Sequence, residues 1–110
     1  MKNLYLIINE QHTLLEQQQA ELEKFAIEID RHVITCKVPA TGWTLMEMNE
    51  IKQIFEKGAI IVFLSPVPFL LKEVSKEHDT FVFHNDNRCK KELPNGKIIF
   101  TPAKEGWVIV

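Results

Sequence analysis

The chain has 110 residues, 45% apolar, 25% charged and 9% aromatic, with 13 Lys+Arg against 15 Asp+Glu for a formal net charge of −2. These fractions fit one ordinary globular domain that needs no metal or disulfide staple, and exclude a disordered, collagenous or coiled-coil chain. No apolar run approaches the roughly 20 residues of a membrane span, and near-neutral charge disfavours a nucleic-acid partner.

Leu4-Tyr5-Leu6-Ile7-Ile8 is a short apolar run that stops at Asn9-Glu10, the pattern of a buried strand. No small-residue cleavage site follows it, so a signal peptide is not expected and the cytoplasm is the expected compartment. There Cys36 and Cys89, which share no C-x-x-C spacing, are expected to stay reduced. Thr13-x-x-Glu16 has capping-box spacing and opens a helix whose inner face carries Leu15, Leu22, Phe25, Ala26 and Ile29. Gln17-Gln18-Gln19 is expected to lean to solvent. A second strand follows over His32 to Val38, then the turn-rich Pro39-Ala40-Thr41-Gly42-Trp43.

Thr44-x-x-Glu47 gives a second capping box, backed by the stripe Leu45, Met48, Ile51, Ile54 and Phe55. Lys57-Gly58 matches a helix stop, a cation followed by glycine. Ala59 to Leu64 is apolar throughout and reads as the central strand, covered on both faces. Ser65-Pro66-Val67-Pro68 opens a third helix with Ser65 as its expected N-cap. Thr80 to Phe83 is a fourth strand. Beyond it the turn signals Leu93-Pro94-Asn95-Gly96 and Lys104-Glu105-Gly106 bracket hairpin strands too close together for a crossover helix.

Alternation of strand and helix over residues 1–86 calls for an α/β fold with a mostly parallel sheet in two or three layers. Its expected order is 2-1-3-4, and residues 87–110 form an antiparallel hairpin extension continuing one edge. Ligands of such sheets bind beyond the carboxyl ends of the strands, where strand order reverses. The loops there supply Asn9, Glu10, Thr41, Trp43, Ser65, His84, Asn85 and Arg88 as ligand-binding candidates. His84 or His12 with Asp86 or Glu10 forms an acid–base candidate pair, since histidine titrates near neutrality and a carboxylate fixes its tautomer.

Several chemistries are disfavoured. The four histidines show no metal-ligand spacing, and no G-x-S-x-G surrounds Ser65. Neither G-x-G-x-x-G nor G-x-x-x-x-G-K-[ST] occurs, and Pro66 and Pro68 remove backbone donors that an anion would use. A receiver-type phosphorelay domain shares the layout but needs an aspartate where this chain has Leu64-Ser65. No cofactor is implied. Three functions follow: a regulatory or accessory domain binding a small polar ligand or a partner protein at these loops, a hydrolase-type enzyme using the His/carboxylate pair, or an interaction protein dimerising through its C-terminal strands.

Overall fold

The computed structural model describes residues 2–102 and 104–110, with the side chains of 88–91 and 99–102 outside the description. The elements are β1 (Asn3–Asn9), α1 (Glu16–Glu28), β2 (His32–Val38), α2 (Leu45–Ile51), β3 (Ile60–Phe63), α3 (Pro68–Val74), β4 (Asp79–Asn85), β5 (Arg88–Glu92), β6 (Ile98–Pro102) and β7 (Trp107–Ile109). A five-stranded sheet runs in the order β2-β1-β3-β4-β7. Its first four strands are parallel and β7 closes the edge antiparallel to β4. The expected 2-1-3-4 order is therefore present, and β7 extends it. β5 and β6 instead pair only with each other, as a separate two-stranded ribbon. The Cα radius of gyration is 15.5 Å, against about 13 Å for a compact chain of this length. The ribbon thus stands off the body as an arm.

The apolar run of β1 is buried because helices cover both of its faces. Leu4, Leu6 and Ile8 meet Leu22 and Ala26 of α1, joined by Ile60 and Val62 of β3. Tyr5 and Ile7 meet Met48 of α2 and Leu70 and Val74 of α3, with Phe55, Ile61 and Phe63. The period of two along each strand divides one sheet between two cores, so the architecture has three layers.

Local departures from the sequence reading have physical causes. α1 starts at Glu16, not beside Thr13: the Leu15 N–H donates to the Gln18 side-chain oxygen at 2.8 Å, which replaces a hydroxyl cap. Gln18 is accordingly buried rather than solvated. α2 does carry its expected box, with Glu47 N–H donating to Thr44 Oγ1 at 3.2 Å and Thr44 N–H to Glu47 Oε1 at 3.0 Å. The Thr44 N–H first, and then the Thr44 hydroxyl, hold the Glu47 carboxyl below its ordinary range. The helix ends at Ile51, before Gly58, and tightens into i→i+3 bonds from Gln53 and Ile54 that deliver Phe55 to the core. Gly58 then makes the turn into β3 at φ +85°, a left-handed conformation that suits glycine.

Candidate functional site

Strand order reverses between β1 and β3, so the loops leaving their carboxyl ends part toward opposite faces and open a crevice. Ser65 sits in it, 4% exposed. It is not a helix cap: α3 begins at Pro68 with Val67 in the capping position. Ser65 and Val67 both precede prolines, which disfavours helical backbone at each and keeps the segment extended. Freed from capping, the Ser65 hydroxyl oxygen accepts the Asn9 N–H at 2.8 Å and lies 3.0 Å from His12 Nδ1. The N–H of Leu64 and of Ser65 both donate to the Ile7 carbonyl, at 2.9 and 3.2 Å. The end of β3 is thus fastened to the end of β1 by main chain and side chain together.

The loop after β2 joins the same assembly. Glu10 N–H donates to the Val38 carbonyl at 2.8 Å, and Glu10 Oε1 accepts the Ala40 N–H at 2.9 Å. A turn bond from Gly42 N–H to the Pro39 carbonyl at 2.8 Å, with Gly42 at φ +80°, folds Thr41 and Trp43 back over the sheet. The result is a cleft of about 380 Å³ whose walls include Asn9, Thr41, Trp43, Met48, Val67 and Phe69. Trp43 and Phe69 supply half-buried aromatic surface, while Asn9 and Thr41 supply polar groups. A second hollow of about 390 Å³ opens on the α1 side, beside Gln11, His12, Leu64 and Trp107. Ser65 and His12 stand between the two.

The candidates therefore separate. Asn9, Glu10, Thr41, Trp43, Ser65 and His12 belong to one set of loops. His84 and Asp86 form their own pair, Nε2 to Oδ1 at 2.9 Å, with side chains 49% and 69% exposed. Asn85 is 3% exposed and is turned to structure. Its Nδ2 donates to the Glu105 carbonyl at 3.0 Å, while its Oδ1 is buried without a hydrogen-bond partner among the described residues. The Arg88 side chain lies outside the described residues, as do those of Cys89, Lys90 and Lys91.

Chemically, Ser65 is better suited to holding the loops than to attacking a substrate. A nucleophile must reach its target, and this hydroxyl is enclosed with two partners. While accepting from Asn9, the hydroxyl either gives its proton to His12 Nδ1 or accepts one from it, according to the tautomer; in the first case His12 keeps Nε2–H as a donor at an exposed position. Met48 and Phe69 were not among the sequence candidates; Met48 read there as part of the apolar stripe of the second helix. The signal for Phe69 was an aromatic directly after Pro68 at a helix start. Among the described residues no three His, Cys, Asp or Glu side chains gather as a metal-binding group. Nor is any described helix long and apolar enough to cross a membrane. Comparison of the chain with family models, curated proteins and solved structures gives no match in any of the three.

Proposed function

We propose that the chain is a small-ligand-binding domain of regulatory or accessory kind, with its site in the cleft between the loops after β1, β2 and β3. The observation that carries this reading is the fastening of those loops to one another through Ser65 and Glu10, which gives a cleft formed before any ligand arrives. A preformed site avoids the ordering cost of a loose one. The walls favour a small flat molecule that stacks on Trp43 or Phe69 and hydrogen-bonds to Asn9 or Thr41. Phosphate groups suit it poorly, because Pro66 and Pro68 on its rim carry no N–H and Glu10 lies close by. A reducing compartment such as the cytoplasm fits Cys36, a free cysteine whose thiol is pushed up by burial.

Two-dimensional NMR titration with nicotinamide and with adenosine tests the proposal. Shift changes are expected at the Trp43 indole and at the amides of Asn9, Thr41 and Phe69, with the Trp107 indole as internal control. Trp43→Ala should remove them. Titrations that move none of these resonances, or only those of α1 and β7, overturn the assignment. A second reading, acid–base catalysis, is supported by the 2.9 Å His84–Asp86 contact. The same spectra separate the two, since a substrate of that pair would move His84 and leave Trp43 still.

A further inference from the structure

The two edges of the five-stranded sheet are treated differently. At β7, Val82 and Val110 exchange both backbone bonds, at 2.8 and 2.9 Å. Ladder alternation then turns the Trp107 N–H and C=O away from β4. Gln17 takes both: Trp107 N–H donates to Gln17 Oε1 at 2.8 Å, and Gln17 Nε2 donates to the Trp107 carbonyl at 3.1 Å. The side-chain amide acts as one residue of a further strand and covers that edge at Trp107.

β2 has no such block. It runs for 7 residues without proline or glycine, and among the described residues no strand pairs with its outer side. His32 N–H donates to the Lys2 carbonyl and the Val38 carbonyl accepts from Glu10, so the even-numbered residues bond to β1. Val33, Thr35 and Lys37 therefore direct N–H and C=O outward. Val33 and Ile34, on opposite faces, are each 39% exposed, an apolar edge of the kind that soluble domains usually blunt. The flank of α1 above it adds to the surface. Glu21, Lys24 and Glu28 line a crevice with Val108 and Ile109, so helical periodicity places Glu23 and the 79% exposed Ile27 on the flank toward β2.

We propose that β2 is a homodimer seam, in which a second copy adds its own β2 antiparallel about a two-fold axis at Thr35. This register sets Thr35 opposite Thr35, Val33 opposite Lys37 and Ile34 opposite Cys36. Every outward N–H then meets an outward C=O, because Val33, Thr35 and Lys37 are spaced evenly about the axis. It also carries Lys37 of each copy onto the face of the other that bears Glu23 and Ile27, where its stem covers Val33 and its ammonium meets a carboxylate. That charge complementarity favours a copy of this chain over an unrelated strand. The contact is isologous, so each copy uses its β2 edge once, and Gln17 covers the far edge at Trp107.

Sedimentation equilibrium over a wide concentration range should approach twice the 12.8 kDa chain mass. Thr35→Pro removes only an outward N–H and spares the β1 ladder, so circular dichroism should be retained while dimerisation weakens about tenfold or more. Thr35→Cys, with Cys36 and Cys89 changed to serine, should crosslink to itself on oxidation. Paired residues of this kind lie about 5.5 Å apart at Cα, within disulfide range. A chain monomeric at every concentration overturns the proposal. So does a dimer that tolerates Thr35→Pro, or one whose Thr35→Cys variant does not crosslink.

Discussion

The Ser65 hydroxyl extends the main-chain fastening of β3 to β1 by one residue, accepting the Asn9 N–H beyond the Ile7 carbonyl that takes the Leu64 and Ser65 N–H groups. Ser65→Ala leaves the Asn9 N–H without its acceptor and releases His12. The expected cost is about 1–2 kcal/mol, read as a lower urea midpoint with unchanged slope. Cleft binding should weaken as well, since Asn9 is both tied to Ser65 and part of the cleft wall. At the opposite end of the sheet, Tyr5 hydroxyl donates to Glu56 Oε2 at 2.6 Å, and Asn3 N–H to Glu56 Oε1 at 3.1 Å. The bond to Tyr5 is the main reason that the Glu56 carboxyl lies below its usual 4.5. The same bond to Glu56, then burial, lifts Tyr5 above its usual 10.0.

The signs follow from which form the fold prefers. Folding favours ionised Glu56, so its contribution is full above 4.5 and is lost as pH falls through the lower folded value. Folding favours neutral Tyr5, so its contribution is full below 10.0 and is lost as pH rises through the higher folded value. Tyr5→Phe should therefore cost about 1 kcal/mol near neutrality and flatten both limbs of the stability–pH curve, measured by thermal melts. The pair was not legible in sequence, where Tyr5 read only as part of an apolar run. Their partnership spans 51 positions, which no local pattern encodes.

Elements whose cause is local were read well. The Thr44–Glu47 box needs only three intervening bonds of chain, and it forms where the spacing placed it. The interior strands β1 and β3 were legible because burial on both faces leaves an unbroken apolar run. The glutamine run at the start of α1 was misread for the converse reason. Gln17 and Gln18 have partners that periodicity does not count, one 90 positions away and one the backbone of Leu15. Gln17→Ala should speed hydrogen exchange at the Trp107 amide by about tenfold while leaving the amides of β1 and β3 unchanged. Equal acceleration throughout the sheet would show that the bond supports global stability instead.

For the whole molecule, the alternation of strand and helix was enough to indicate a mostly parallel sheet, while 2-1-3-4 was one of the few orders that right-handed crossovers leave and the structure selects it. It did not separate the last strands, because turn signals mark hairpins without showing which sheet they join. The structure divides them: β7 joins the main sheet, and β5 with β6 forms the arm. The necessary pinch lies at its base, where Asp86 N–H donates to the Gly106 carbonyl and Asn85 Nδ2 to that of Glu105. The candidate site was half legible. Loops after parallel strands were expected to converge, and those after β1, β2 and β3 do. The fourth contributes instead to this pinch, which no motif announces.

The bond between Gln17 and Trp107 has a consequence in time as well as in space. A contact joining residues 90 positions apart carries a large loop-closure cost, so it gains little until the intervening sheet exists. β7 is therefore expected to dock last, onto a nucleus of β1 with β3 and the helices over them. In stopped-flow measurements Gln17→Ala should leave the folding and unfolding rates of the sheet nearly unchanged, the faster opening being confined to β7. The lifetime of the docked β7, more than that of the whole sheet, is set at this seam.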